Sequence, residues 1–320
     1  MGSHLLRCSV VAGMLVAVGV PGRAQLPDFY KTMEGASWVV KDASTPMAAW
    51  QKVGLEDLRD HGKIAAEGSQ RLSGRFITGR LGSFEVQILQ PEADDPVFDG
   101  FLQRHGDGVF ALLFVAPDPQ QLERESSRLA ALGVRVLARF HADGARYTFF
   151  DTEPEGKYVL GLVSRSGHAA DASPSKVTHV GLVIRKAAPV AEFWKRLGFP
   201  EMSLADASPR EDGRYHGKPL LLPFVVGWQN YSHPTFEWII PPQNPPNCYA
   251  DFLRTHGEGV QHLGIPVDNL ENALERYAKL GWSPVQTGAW GEVGKPGSGR
   301  YAYMDTDTLG VSLELIHAIR

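Results

Sequence analysis

Val177-Thr178-His179-Val180-Gly181-Leu182-Val183-Ile184 and Gln261-His262-Leu263-Gly264-Ile265-Pro266-Val267 are two short apolar strands of one design. Each carries a single histidine and is followed by a helical pattern that ends in Leu-Gly. Each unit then closes on a strand with one acid among apolar neighbours, Phe236-Glu237-Trp238-Ile239-Ile240 and Leu313-Glu314-Leu315-Ile316. Alternation along the strands and a 3.6-residue stripe along the helices mark a repeated βαβ-type unit. A unit that contributes one His and one Glu, used twice, supplies two imidazoles and two carboxylates, a donor set that suits a divalent metal ion.

The repetition extends to both halves of the chain. Phe101-Leu102-Gln103-Arg104-His105-Gly106-Asp107-Gly108-Val109 matches Phe252-Leu253-Arg254-Thr255-His256-Gly257-Glu258-Gly259-Val260 at a constant offset of 151 residues. Arg146-Tyr147 to Asp151-Thr152 matches Arg300-Tyr301 to Asp305-Thr306, with Gly156 opposite Gly310. Each half divides again into a strand, one amphipathic helix and several further strands. In the third quarter Pro189 suits a first helical turn, Val190, Phe193, Trp194 and Leu197 form the stripe, and Gly198 provides the stop. The fourth has Asp268 or Asn269 as cap, Leu270, Leu274 and Tyr277 as stripe, and Gly281 as stop. The second starts at Asp118-Pro119, runs through Leu122 and Leu129 and stops at Gly133; the first is marked by Pro46, Ala49, Trp50 and Val53 before Gly54. The expected fold is α+β: four βαβββ modules paired two and two, each pair an open, curved, mixed-sheet half-barrel cup with flanking helices.

The chain has 320 residues and 35.1 kDa, enough for two domains with real cores. A charge of −4 and a pI near 6.3 give no electrostatic basis for a nucleic-acid or anionic-membrane partner. Arg7, the apolar run from Cys8 to Val20 and the small residues of Gly22-Arg23-Ala24 form a secretory signal pattern, with cleavage expected after Ala24. The run is too short for a membrane span. The expected division is therefore a signal peptide over 1–24, a leader over 25–33, a first domain over 34–165, a linker over 166–176 and a second domain over 177–320, in a secreted or periplasmic protein. Cleavage leaves Cys248 as the single cysteine, so the mature chain has no intrachain disulfide.

This pattern resembles the vicinal oxygen chelate superfamily, which includes glyoxalase I, methylmalonyl-CoA epimerase and the extradiol dioxygenases. The resemblance covers roughly Glu34 to Arg320 and is most specific from Val177 onward, with Asp251-Phe252-Leu253, Gly257-Glu258-Gly259 and His262 similar to the epimerase and glyoxalase branch. It implies His179, Glu237, His262 and Glu314 as ligands of one divalent metal ion, Zn, Ni, Co, Mn or Fe. Four protein ligands on an octahedral ion leave two positions for a small substrate with chelating oxygens. Proton abstraction next to a metal-bound carbonyl, with stabilisation of the enolate, follows as the expected reaction, and Glu237 or Glu314 doubles as the base.

A lone histidine on an apolar strand is more often a core residue than a ligand; recurrence of all four residues at corresponding repeat positions reverses that judgement. The first half acts as an internal control. Its aligned positions are Gly35 for His179, Gln87 for Glu237, Ala111 for His262, and Leu160, or Gly161 after a one-residue slip, for Glu314. The first domain is accordingly expected to lack metal, and pairing within one chain removes the need for a dimer.

Two other functions fit the same residues. His179, His262 and Glu314 alone would form the facial triad of a ferrous extradiol-type dioxygenase. A binding module without chemistry would use an apolar cup, for which Trp194, Trp228, Trp238 and Trp290 are available. Arg210, Arg214 and Lys218 read as a solvated loop, with the holding of a substrate carboxylate as the alternative, Lys295 to Arg300 as a lid or a glycine turn, and His233 as a loop histidine that could instead support the Glu237 strand.

Overall fold

The computed structural model describes residues 26–68, 71–92, 95–165, 173–207, 212–292 and 294–319. The expected signal peptide and most of the expected linker lie outside them. Among the described residues no helix is long and apolar enough to cross a membrane.

The first half builds β1 (Met33–Val39), α1 (Ser44–Lys52), β2 (Glu56–Lys63), β3 (Ala65–Ala66), β4 (Gly74–Leu81), β5 (Phe84–Pro91), α2 (Phe98–His105), β6 (Gly108–Val115), α3 (Pro119–Ala131), β7 (Val136–Ala142), β8 (Ala145–Phe150), α4 (Glu153–Gly156) and β9 (Val159–Arg165). The second builds β10 (His179–Val183), α5 (Ala187–Arg196), β11 (Ser203–Ala207), β12 (Arg214–Tyr215), β13 (Lys218–Pro219), β14 (Phe224–Gln229), β15 (Thr235–Ile240), α6 (Cys248–Thr255), β16 (Gly259–Pro266), α7 (Leu270–Lys279), β17 (Pro284–Trp290), β18 (Gly299–Met304) and β19 (Ser312–Ala318). The helix signals act as expected. Asp118 accepts a hydrogen bond from Gln121 N–H at 2.7 Å, and Asn269 is the residue that caps α7, accepting from Asn272 N–H at 2.8 Å. Gly133 and Gly281 end their helices at φ 86° and 90°, a region that favours glycine.

Two mixed, curved sheets result, in the orders β2-β4-β5-β1-β6-β9-β8-β7-β3 and β11-β14-β15-β10-β16-β19-β18-β17-β12-β13. The centre of each has one plan. The opening strands of two modules, β1 with β6 or β10 with β16, lie antiparallel, and each is flanked by the parallel closing strand of its own module. The α+β class and the four βαβββ modules are thus present.

The largest core cluster runs through both halves. Tyr158 stacks on Trp194 with centroids 4.5 Å apart, and the Trp194 indole N–H donates to the Gly156 carbonyl at 3.0 Å. Residues 26–33, read from the sequence as a leader, are built into this seam: Tyr30 is fully buried, donates to Glu125 at 2.7 Å and packs edge-on against Phe114 and Phe199. The 151-residue repeat shows as a local two-fold relation, because His105 Nδ1 meets the His256 carbonyl at 2.6 Å while His256 Nδ1 meets the His105 carbonyl at 2.7 Å.

The polar insertion departs from the solvated loop expected. Its described part folds as the β12–β13 hairpin, which pairs with β17 and extends the second sheet, and the Tyr215 hydroxyl donates to Asp251. Lys295 to Arg300 forms a glycine turn closed by the Gly297 N–H to Ile319 carbonyl bond.

Candidate metal centre

The four predicted ligands stand in two adjacent rows across the centre of the second sheet. Glu237 on β15, Gly181 on β10 and His262 on β16 share one row, and His179 on β10, Gly264 on β16 and Glu314 on β19 share the next. The rows are two residues apart along each strand, so all four side chains rise from one face. Each histidine lies directly across from a glycine of the neighbouring strand, and a Cβ there would sit 1.8 Å from the His262 ring or 2.4 Å from the His179 ring. The glycines make the room that the imidazoles fill.

The donor atoms converge. His179 Nε2 is 2.8 Å from Glu314 Oε2 and 3.1 Å from His262 Nε2, and His262 Nε2 is 3.0 Å from Glu237 Oε2. All four lie within 4.8 Å of one another, and among the described residues this is the one such group of His, Cys, Asp or Glu that could hold a metal ion. His262 is fully buried, and Glu237, with a side chain 12% exposed, is the most open of the set.

Burial alone would push the His179 pKa down, but the adjacent Glu314 and Glu237 carboxylates outweigh it and hold the imidazole above its ordinary value. Burial would raise Glu314, yet His179 and His262 keep its carboxyl below the ordinary range. A proton shared among such groups and a bound cation are two solutions to the same concentration of negative charge. Two observations show that the residues fit a cation. Glu314 Oε2 is buried 2.8 Å from His179 Nε2 and 3.5 Å from His262 Nε2, so one carboxylate oxygen faces both imidazole nitrogens. The Gln261 side-chain amide oxygen, Oε1, accepts from His262 Nδ1 at 2.7 Å, which places the ring proton on Nδ1 and leaves the Nε2 lone pair facing the centre.

The centre opens into a cavity of about 1430 Å³. Trp228, edge-on to His179 at 5.7 Å, and Trp290 line it together with Tyr301 and Tyr303, whereas Trp194 and Trp238 belong to the core. His233 contacts the first half instead, through backbone bonds with Lys31 and Met33. Gly181, Gly264 and Gln261 have roles that the sequence pattern alone does not assign: the His-x-Gly triplet of both strands is the signal for the two glycines, and nothing in the sequence marks Gln261.

In the first sheet the register makes Gly35, Gln87, Ala111 and Gly161 the counterparts of the four ligands, so the aligned position on the last strand is Gly161 and not Leu160. Gln87 is consumed by neighbours, accepting from Ser37 Oγ at 2.6 Å and donating to Glu85, which is itself paired with Arg165 at 2.7 Å.

Residues 178–303 match the family model described as the Glyoxalase/Bleomycin resistance protein/Dioxygenase superfamily. No curated protein matches the sequence. Among solved structures, a triple mutant of 4-hydroxymandelate synthase from Streptomyces coelicolor is similar with a TM-score of 0.61 and 17% identity, covering 90% of this chain and 92% of that one. A xylose isomerase-like TIM barrel/4-hydroxyphenylpyruvate dioxygenase fusion protein is similar with a TM-score of 0.55 and 14% identity, covering 91% of this chain. The match spans only 49% of the fusion protein. Residues 178–303 are thus similar to that superfamily, and the whole chain shares the tandem two-sheet fold of the matched structures.

Proposed function

We propose that the protein is a divalent-metal-dependent enzyme of the glyoxalase and epimerase type, moving a proton next to a carbonyl of a small substrate held in the second cup. The carrying observation is the fourth donor: Glu237 joins His179, His262 and Glu314 within 4.8 Å. A cation held by these residues would supply Lewis acidity toward the substrate's oxygens. Glu314, buried against His179, anchors the set. Glu237, the more open carboxylate and a cavity wall, takes up the proton and returns it. The first domain is a metal-free partner that completes the shared core, and the N-terminal pattern supports export of the mature chain.

A second reading uses the same face. Likeness over nine-tenths of the chain to the 4-hydroxymandelate synthase supports a tandem enzyme with ferrous iron on His179, His262 and Glu314. Metal analysis of the purified protein with the Glu237→Gln variant separates the two. Zinc, nickel, cobalt or manganese at one per chain, with solvent-proton exchange of a bound carbonyl compound lost in the variant, supports the first. Iron with oxygen uptake that persists in the variant supports the second. A chain that takes up no divalent metal overturns both.

A further inference from the structure

Gln286 holds a buried hydrogen-bond donor that the protein leaves unused. It lies on β17 with 1% of its surface exposed, and its Oε1 accepts from the Cys248 backbone N–H at 3.1 Å. A backbone N–H can only donate, so the orientation of the amide is set: oxygen toward Cys248, nitrogen away from it. Nε2 is buried without a partner, and Gln286 is a wall of the same cavity that His179, Glu237 and Glu314 line. The neighbouring Tyr249 and Tyr303 hydroxyls bond each other at 3.0 Å. An unpartnered buried NH₂ beside a cavity is completed by an oxygen acceptor on whatever fills that cavity.

The charge of the cavity restricts what that molecule is. Asp206, Glu237, Asp268 and Glu314 line it, with His179 and His317, and no lysine or arginine is among its described lining residues. Without a cation the described lining is acidic, and a divalent cation would be balanced by Glu237 and Glu314, so in neither case do the described residues offer surplus positive charge to an anionic group. Aromatic faces from Trp228, Trp290 and Tyr301 supply most of the remaining contact surface.

We propose that the substrate is an uncharged, aromatic-bearing molecule that offers two oxygens to the metal centre and a separate oxygen acceptor to Gln286 Nε2. This rests on the proposed metal site for its chelating end only. The charge of the described lining residues disfavours acidic conjugates and carboxylated aromatics, whichever reaction follows.

The test uses three matched probes on protein whose metal content is measured first: catechol, 3,4-dihydroxybenzoate and methyl 3,4-dihydroxybenzoate. Binding is read from quenching of tryptophan fluorescence, since Trp228 and Trp290 flank the site. The ester is expected to bind about tenfold more tightly than the acid, and Gln286→Leu to bring the ester down to the level of catechol with metal content unchanged. Asp206→Lys, on an exposed strand, is expected to improve binding of the acid about tenfold and serves where Gln286→Leu does not fold. Acid binding equal to or tighter than ester binding, or an ester preference indifferent to Gln286→Leu, overturns the proposal. Protein without metal that still prefers the ester and still depends on Gln286 sinks the chelating end and the proposed metal site, and leaves the acceptor and charge assignments standing.

Discussion

Gly181 and His262 face each other across β10 and β16, and the imidazole occupies the space where a Gly181 side chain would stand, 1.8 Å from a Cβ at its nearest atom. The glycine is therefore part of the candidate centre without offering a donor atom. Gly181→Ala is expected to turn the His262 ring out of line and weaken Zn²⁺ or Co²⁺ binding by at least roughly tenfold. The circular dichroism spectrum should keep its native form. Titration by calorimetry measures the loss, and unchanged metal affinity would contradict the packing argument.

Gln261 sets the tautomer of His262 through the 2.7 Å contact with Nδ1. Gln261→Leu keeps the size of the side chain and removes the acceptor, so the ring proton is free to reside on either nitrogen. Metal affinity is expected to fall on the order of 10- to 100-fold, as for other partners that orient a ligand histidine. Gln261→Glu, which retains an acceptor at the same place, should recover most of it.

Loading the centre should also stabilise the fold. A ligand that binds only the native chain at about 100 times its dissociation constant adds about 2.7 kcal/mol. Differential scanning calorimetry with and without a chelator is expected to show the melting transition falling on metal removal, and His262→Ala should melt at one temperature in both conditions. A chelator-sensitive transition in His262→Ala would place the stabilising metal elsewhere.

The modules and the His/Glu quartet were legible because both signals are local and repeated: period-2 strands, 3.6-residue helices, a 151-residue offset between the halves, and a His-x-Gly triplet that marks His179 and His262 as equivalent strand positions. Contacts between distant strands were not legible. Leu160 and Gly161 differ by one residue in sequence, but that step reverses the face of the sheet, and only pairing of β9 with β6 decides between them. The unused amide of Gln286 depends on a helix start 38 residues away, and the β12–β13 hairpin on an edge that β17 offers. Tyr30 looked like leader because its partners, Glu125 and Phe199, come from opposite halves. Amphipathic pattern records which side of an element is buried and says nothing about what lies against it.

The first cup shows how the fold closes when the quartet is missing. Arg165 on β9 reaches Glu85 on β5 at 2.7 Å, with side chains 12% and 5% exposed, and the Tyr147 hydroxyl and Gln87 complete the network. Burial would raise the Glu85 carboxyl, but Arg165, together with Gln87 and Arg80, holds it below the ordinary carboxylate range. A depressed native pKa means that Glu85 adds stability above the unfolded-state value, near about 4.3, and that this contribution fades as pH falls through the native one. Arg165→Met leaves the buried carboxylate with the more distant Arg80, at 3.4 Å, as its remaining cation and is expected to cost about 3 kcal/mol at neutral pH, the lower end for breaking a buried pair. Acid protonates the stranded Glu85 in the variant and removes the ion-pair advantage of the parent, so the gap should narrow between about pH 7 and about pH 3.5. Urea denaturation at the two pH values measures it, and adding Glu85→Leu to Arg165→Met should restore most of the loss. A gap that is constant with pH would mean that Arg165 acts through packing and not through its charge.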